Sequence, residues 1–369
     1  MSVERVVLVS PYALSVFGGV QEQVLAMSRV LTSRGRDVLI VAPDGRDITH
    51  YDTPAAILRL GVRLSLPANG SKAPLALSPL AALRAKAAID AFNPDVVHFH
   101  EPFAPLLSWP TLFAHRHPAV GTFHRSGGGP AVHYTKVVLR RLAPRLDAAV
   151  SVSDAAAATL LDASGLVSDV LFNGFETERF VATPRERAHN KVLFFVGRLE
   201  ERKGVAFAIH ALREHNARSD DPWQLVIAGE GPERVRLEAL AARDDNIVFL
   251  GRVSDEEKRA WLRRVDVLIA PSTRGESFGL VLLEAMASET LVVASDIEGY
   301  ADATGGHATL FRAGDVSSLI DAVTRALASE SEERVSAARR YAERWSMTSL
   351  MDAYDDRYDD AVRQFQLTK

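Results

Sequence analysis

Two cations and two glutamates are the residues best placed to bind a phosphorylated, polyhydroxylated ligand. Arg198 and Lys203 lie five residues apart in GRLEERKG, directly after an apolar run. Cations on such a loop can neutralise a diphosphate. Glu276 and Glu284 lie eight residues apart in ESFGLVLLE, about two helical turns, so each carboxylate can accept hydrogen bonds from a different part of one ligand. Taken singly, either pair could instead be a solvated charged surface.

Glu284 differs from a surface glutamate because its neighbours are apolar. Phe278 and the run Leu280–Leu283 precede it, which predicts a largely buried position. A buried carboxylate without a partner costs free energy. We therefore expect a polar ligand to satisfy it.

Gly18 and Gly19 offer a second place for an anion. They open an amphipathic helix after the first apolar run, and glycine lets backbone amides approach an anion at a helix N-terminus. A tight turn between strand and helix is the alternative. Neither this segment nor the later GEGP (229–232) has the full G-x-G-x-x-G pattern of dinucleotide-binding proteins, so we do not expect a nicotinamide enzyme.

Three histidines follow or end apolar runs. His98 and His100 alternate onto one face of a predicted strand, a spacing that can bind a metal, but no third ligand accompanies them in the sequence. We interpret them as structural or as part of an acceptor site. For His124, residue type alone favours a hydrogen-bonded histidine at a strand end. Because no Asp-x-Asp pair stands at a strand end, the sequence predicts no metal site.

Alternating strands and helices must position these residues. Short runs rich in Val, Ile and Leu recur between amphipathic stretches, the pattern of doubly wound parallel sheets. Two such series predict an α/β protein with two Rossmann-like domains, residues 1–185 and 186–346, facing each other across a cleft. Turn residues near 171–190 place the boundary. A final helix, 347–369, is predicted to cross back onto the first domain. The predicted strands cover residues 5–10, 37–42, 56–60, 95–99, 119–123 and 148–152 in the first series and 191–196, 224–228, 246–249, 265–269 and 291–294 in the second.

Composition excludes several classes of protein. The 369 residues carry a net charge of −4, which offers no field for nucleic acid. The absence of cysteine excludes disulfides, thiolate catalysis and cysteine-bound zinc. No apolar run approaches the ~18–20 residues of a membrane-spanning helix, and the first residues lack the pattern of a secretory signal. We expect a cytoplasmic protein whose membrane contact is at most peripheral, on the cytoplasmic face.

The ordered combination of motifs resembles the retaining family 4 glycosyltransferases over nearly the whole chain. The motifs are GGV after the first strand, GRLEERKG opening the second domain, and ESFGLVLLEAM. Within that family, SPY (10–12), NGS (69–71), HFHEP (98–102) and TFH (122–124) are most similar to the phosphatidylinositol mannosyltransferases. The resemblance implies the GT-B arrangement of two Rossmann-like domains.

The resemblance also implies a role for each matching residue. The amide of Gly19 and the two cations would hold the nucleotide diphosphate, Lys258 would contact the base, and Glu284 would bind the ribose. Glu276 and the backbone at 278–279 would hold the donor hexose, and His124 would hydrogen-bond that hexose at its reacting face. The predicted catalytic residues are His124, Arg198, Lys203 and Glu276. The predicted donor-binding residues are Gly18, Gly19, Arg198, Lys203, Lys258, Glu276, Phe278, Gly279 and Glu284.

The acceptor side departs from the family pattern. Pro74 stands where a basic residue is expected, Ser15 replaces an acidic residue, and the helix at 79–92 carries only two cations. Such a helix would bind an anionic membrane weakly, at ~1 kcal/mol per cation. Residues 136–145, with four cations among apolar residues, form a second candidate membrane surface, for which a solvated helix face is the alternative.

We therefore expect a retaining, metal-independent glycosyltransferase without a tightly bound cofactor. Its expected reaction moves mannose from GDP-mannose to a phosphatidylinositol-type lipid. A second hypothesis keeps the fold and chemistry but uses another nucleotide sugar, UDP-linked, and a soluble or other lipid-linked sugar acceptor. A nucleotide-sugar epimerase, a glycan phosphorylase and a catalytically silent binding protein are the alternatives from other classes. We expect a monomer.

Overall fold

Two α/β units, each built on its own parallel sheet, make up the chain. The computed structural model describes residues 3–15, 18–43, 51–61, 63–68, 71–76, 79–105, 107–125, 130–180, 191–242, 244–276 and 278–368. Residues 1–174 and 347–369 form the first unit, and residues 175–346 form the second. The predicted domain boundary at 185/186 lies outside the described residues.

The first unit alternates strands and helices as the sequence predicts. Its elements before the second unit are β1 (Arg5–Val9), α1 (Gly19–Ser33), β2 (Asp37–Ala42), β3 (Ala56–Arg59), β4 (Arg63–Ala68), β5 (Ser71–Ala76), α2 (Pro79–Phe92), β6 (Val96–His100), α3 (Ser108–Ala114), β7 (Ala119–Phe123), α4 (Pro130–Leu142), β8 (Ala148–Ser151), α5 (Asp154–Ser164) and β9 (Asp169–Val170). In the described part of this unit the parallel strands lie in the order β3-β2-β1-β6-β7-β8-β9. The order reverses between β1 and β6, and ligands bind beside the carboxyl ends of strands at such a point.

The second unit repeats this plan with its own reversal. Its elements are β10 (Lys191–Val196), α6 (Val205–Asn216), β11 (Trp223–Ala228), α7 (Arg234–Ala241), β12 (Ile247–Gly251), α8 (Asp255–Arg264), β13 (Val267–Ala270), α9 (Leu280–Ala287), β14 (Leu291–Ser295), α10 (Glu298–Thr304), β15 (Thr309–Phe311), α11 (Val316–Ala328) and α12 (Glu332–Glu343). Over the ranges that the structure describes, the strand order is β12-β11-β10-β13-β14-β15. Here the reversal lies between β10 and β13, whose carboxyl ends lead into the Arg198 loop and the Glu276 loop.

The predicted strands fall close to the observed ones because central strands are buried on both faces and read as continuous apolar runs. The predicted start of β13 at Val265 is two residues early. Val265 instead ends α8, where its amide donates to the carbonyl of Trp261 at 3.1 Å. The sequence also missed the antiparallel pair β4–β5, because Pro67 and Pro74 argue against strands. The two residues that connect this pair, 69–70, lie outside the described residues.

The C-terminal helix α13 (Met347–Thr368) packs on the first unit, as the predicted fold class requires. Its apolar face contributes Met351, Tyr354 and Tyr358 to the core beneath α1 and the sheet. Arg34, at the end of α1, pairs with Asp352 and Asp355 of α13, at 2.6 Å and 2.7 Å. Burial of large side chains and charge pairing therefore both bind this helix to residues more than 300 positions away in sequence.

Tyr358→Phe tests the buried polar part of this attachment. The Tyr358 hydroxyl lies 2.9 Å from Nδ1 of His98, and both side chains are fully buried. Leaving a buried partner unsatisfied costs about 1–3 kcal/mol, so we expect a loss of this size in the free energy of unfolding, measured by urea denaturation. Tyr341→Phe is the control, because its side chain is only partly buried and its hydroxyl donates a long, 3.4 Å hydrogen bond to the carbonyl of Asp302. Equal losses in both variants would contradict the prediction.

Candidate functional site

The loop after β10 is held by close backbone contacts. Gly197 donates to the carbonyl of Ala228 at 3.0 Å, and Leu199 donates to the carbonyl of Glu230 at 2.9 Å. Gly229 has φ +138°, and a Cβ there would lie 1.8 Å from the carbonyl oxygen of Gly197. Only glycine fits this approach. The GEGP segment, which is not a dinucleotide fingerprint, thus braces the loop that carries Arg198.

Glu276 is the centre of a group of charged side chains in the second unit. Its Oε1 lies 2.7 Å from Nζ of Lys203 and 2.6 Å from a guanidinium nitrogen of Arg202. Ser272 also donates its hydroxyl to this oxygen, at 3.3 Å. The structure therefore brings together Glu276 and Lys203, which the sequence predicted, with Arg202, which the sequence analysis did not single out.

Arg198 stays more open than the other cations of the loop. Its side chain is 54% exposed and pairs with Glu200 at 2.7 Å, and Glu200 also accepts from Arg202 at 2.9 Å. A chain of alternating charges thus lies beside the carboxyl ends of β10 and β13. Its members, in order, are Arg198, Glu200, Arg202, Glu276 and Lys203. An added anion would meet cations that are already held in position, which lowers the cost of ordering them on binding.

Glu284 does not need a ligand to satisfy its charge, contrary to the sequence argument. Its Oε1 accepts from Nζ of Lys258 at 2.8 Å, and the two side chains are 9% and 11% exposed. Lys258, from the first half of α8, also lies 3.6 Å from Asp255. The burial predicted for Glu284 is confirmed, and a lysine 26 residues away supplies the partner.

The start of α9 depends on a glycine in the left-handed region. Gly279 is the N-cap residue with φ +81°, and a Cβ there would lie 2.7 Å from the ring of Tyr300. Phe278 is buried, and its ring meets that of Trp345 edge-on with centroids 5.0 Å apart. Ser277, which directly follows Glu276, lies outside the described residues.

Gly18 and Gly19 open α1 as predicted. Gly18 is the N-cap residue in extended conformation, and a Cβ there would lie 2.6 Å from Oε1 of Gln21. A Cβ on Gly19 would meet no atom of the described residues within 4 Å. The open space beside Gly19, at a helix N-terminus after β1, is compatible with the predicted approach of a phosphate.

The histidines of the first unit form a stacked row. The ring centroids of His98 and His100 are 4.6 Å apart, and those of His100 and His124 are 5.3 Å apart. Burial lowers the pKa of His98 to about 3 and that of His124 to about 4, so all three rings are neutral at pH 7, the pKa of His100 being well below its ordinary value. His98 is structural, because it bonds both Thr122 at 2.7 Å and Tyr358. Within the part of the chain that the structure describes, no group of three metal-ligating side chains is arranged to hold a metal ion.

The predicted site residues thus fall in both units. Gly18, Gly19 and His124 belong to the first, and the remaining predicted residues belong to the second. Sequence reasoning missed Glu101, whose carboxylate accepts from the backbone amide of His124 at 2.6 Å. A polar residue directly after a buried strand was the available signal, because the carboxyl ends of strands form the binding edge.

Comparison with known proteins identifies the class of enzyme. Residues 17–179 match the family model Glycosyltransferase Family 4, and residues 176–345 match Glycosyl transferases group 1. The chain is 34% identical to the phosphatidyl-myo-inositol mannosyltransferase of Mycobacterium leprae, over 95% of this chain and 96% of that protein. It belongs to glycosyltransferase family 4. A second relative, the phosphatidyl-myo-inositol mannosyltransferase of Propionibacterium freudenreichii, is 35% identical over 92% of this chain and 90% of its own.

The fold of this glycosyltransferase is shared with solved structures. A glycosyltransferase from Rickettsia africae superposes with a TM-score of 0.76 at 18% identity, covering 97% of this chain and 98% of that one. At this identity the likeness concerns the fold alone. The GT-B fold expected from the motifs is confirmed by it.

The sequence predicted two basic surfaces of this glycosyltransferase as candidates for membrane contact. Ion pairs neutralise part of the positive charge of each. On α2, Lys86 pairs with Asp90 one turn on, and Arg84 is exposed. On α4, Lys136 pairs with Asp162 of α5 at 3.0 Å. In the described ranges no helix is long and apolar enough to cross a membrane.

Proposed function

We propose that this glycosyltransferase moves mannose from GDP-mannose to a phosphatidylinositol-type lipid, with retention at the anomeric carbon. One observation carries the proposal: the chain aligns almost end to end with relatives named phosphatidyl-myo-inositol mannosyltransferases, at 34% and 35% identity. The charged groups at the carboxyl ends of β10 and β13 support it.

In this proposal the second unit binds the donor. Arg198 and Lys203 take the diphosphate, and Glu276 accepts hydrogen bonds from the hexose hydroxyls. The ion pair of Lys203 with Glu276, 2.7 Å in length, loosens when phosphate oxygens approach the ammonium group. Because the developing charge is on the departing diphosphate, fixed cations at this place lower the barrier.

The proposed transfer keeps the sugar configuration. The bond from the anomeric carbon to the diphosphate oxygen breaks as the acceptor hydroxyl approaches the same face, through an oxocarbenium-like state. The acceptor oxygen then bonds the anomeric carbon, and its proton passes to the departing phosphate oxygen. His124, neutral at pH 7, would hydrogen-bond the hexose without changing the charge of the site.

The first unit would bind the acceptor. Arg125 is exposed directly after His124, and we assign it to the phosphate of the lipid headgroup. The glycines that follow, at 127–129, lie outside the described residues. The expected monomer stays a prediction.

Two measurements on the purified chain test the proposal. Calorimetric titration with GDP, UDP and ADP should show selective binding of GDP. Transfer of labelled mannose from GDP-mannose should then occur to vesicles that contain phosphatidylinositol and not to vesicles with phosphatidylglycerol, which has equal charge and no inositol. Selectivity for UDP, or labelled product without phosphatidylinositol, would contradict the proposal and favour the second donor or an epimerase.

A further inference from the structure

Glu101 follows β6 directly and reaches across to the end of the neighbouring strand β7. Its Oε1 accepts from the backbone amide of His124 at 2.6 Å, and the amide of Arg125 donates to the same carboxylate. The residue is buried, with 7% of its surface exposed. One carboxylate therefore fixes two successive amides at the point where β7 presents His124.

The backbone of Glu101 is held in a conformation that residues with a Cβ rarely adopt. Its φ is +45°, in the left-handed region. In the described ranges two other non-glycine residues share this feature, Asn93 and Glu289, and both follow the end of a helix, where it is common. Glu101 instead follows a strand. Backbone strain of this kind concentrates at functional sites, where the surrounding structure maintains it.

The ring of His124 is fixed from the same strand end. Nδ1 of His100 lies 3.1 Å from Nε2 of His124, and Nε2 of His100 is buried without a partner among the described residues. An unpaired buried N–H group is rarer than an unpaired acceptor. His100 therefore donates from Nδ1, and His124 carries its own proton on Nδ1. Adjacent residues 100 and 101 thus set both the ring and the backbone of His124.

We propose that Glu101 is the positioning residue for His124: its carboxylate anchors the backbone amides at 124 and 125 and so places the imidazole for the donor sugar. Glu101 acts through His124 and does not touch substrate. The role of His124 at the sugar rests on the proposed function, whereas the anchoring of its backbone does not.

The ionised form of Glu101 is the one that anchors, because a protonated carboxyl loses an accepting oxygen. The charged and titratable groups around it are Arg125 and His124 from the loop after β7, Tyr12 from the loop after β1, and His100 on its own strand. Burial raises the pKa of Glu101 to about 7, although the two amides and Arg125 lower it. We therefore expect the anchor to weaken as the pH falls through about 7.

Stability changes with pH in the opposite sense to anchoring. The folded pKa of Glu101 lies above its unfolded value of about 4.3, so its contribution to stability is present below about pH 4 and is lost as the pH rises through about 7. Ionised Glu101 therefore destabilises the fold at the pH where it anchors His124. A residue whose ionised form lowers the stability of the fold is expected to serve activity.

An NMR titration of the intact chain tests the anchor without any substrate. Between pH 5.5 and 8.5 the backbone amide resonances of His124 and Arg125 should shift with a common midpoint near pH 7 in the wild type. The shift should be absent in Glu101→Gln. Asp95→Asn is the matched control, because Asp95 accepts two successive amides, those of Glu4 and Arg5, both at 2.8 Å, at the opposite end of the sheet. Amide resonances at 124 and 125 that are the same in the wild type and in Glu101→Gln across this range would overturn the inference, whatever the substrate proves to be.

Kinetics separate positioning from a merely structural role. We expect Glu101→Gln to lower kcat about tenfold with GDP affinity unchanged. This is less than the cost of about 10²-fold for a misplacement of ~1 Å, because glutamine keeps one oxygen that can accept from an amide. The decline of wild-type kcat below about pH 7 should disappear in this variant and persist in Asp95→Asn. In a His124→Ala background, Glu101→Gln should cause no further loss of kcat. Independent losses from the two substitutions would overturn the inference, whereas a wild type inactive on phosphatidylinositol would contradict only the proposed function.

Discussion

Lys203→Ala is expected to slow glycosyl transfer by about 10²–10³-fold, the cost of removing one preorganised donor from a site of developing charge. Nζ of Lys203 lies 2.7 Å from Glu276 and its side chain is 17% exposed. Its charge is therefore only partly screened by water and acts on whatever anion the loop binds. The measurement is kcat/KM for mannose transfer at saturating acceptor.

The loss in Lys203→Ala should arise at the site and not from misfolding. Glu276 keeps Arg202 at 2.6 Å as a partner, so no carboxylate is left unpaired and the melting temperature should change little. Lys203→Arg, which keeps the positive charge, should recover part of the rate. Arg218→Ala is the control, because Arg218 is 74% exposed and its ion pair is with Glu214, 2.8 Å away at the end of the preceding helix. A rate for Lys203→Ala close to that of Arg218→Ala would contradict the assignment of Lys203 to the diphosphate.

Lys258→Met is expected to destabilise the second unit by about 3–5 kcal/mol, because it leaves Glu284 as a buried, unpaired charge. The pair is 2.8 Å long between side chains that are 9% and 11% exposed, so little solvent reaches the carboxylate to take the place of the ammonium group. Three of the four tryptophans of the chain, Trp223, Trp261 and Trp345, lie in this unit. Its unfolding in urea can therefore be followed by their fluorescence.

A double variant separates stability from donor binding. Replacing both partners of a buried pair by apolar side chains is often neutral, so Lys258→Met with Glu284→Leu should recover most of the lost free energy of unfolding. GDP binding should nevertheless be lost in the double variant, because the carboxylate that we assign to the ribose is gone. Lys191→Met is the control: its pair with Asp266 is 3.5 Å long and Lys191 is 29% exposed, so a loss below about 1 kcal/mol is expected. Recovery of GDP binding in the double variant would remove Glu284 from the donor site.

Local pattern was enough to predict most elements of the two sheets. β2, β7 and β10 begin and end at the residues that the sequence predicts. A strand that is buried on both faces forms a nearly continuous apolar run, and the length of that run marks the strand. The β4–β5 pair escaped prediction since its prolines contradict strand propensity.

The candidate site divides in the same way. The sequence by itself determined which residue types stand after each strand, and the order of the motifs was specific enough to indicate the family that the comparisons confirm. Only the tertiary structure decided the partners of those residues. Glu284 meets Lys258 from 26 positions away, and His124 is anchored by Glu101 from 23 positions away. Parallel strands bring distant carboxyl ends to one edge of a sheet, so partners across that edge share no local pattern from which they could be predicted.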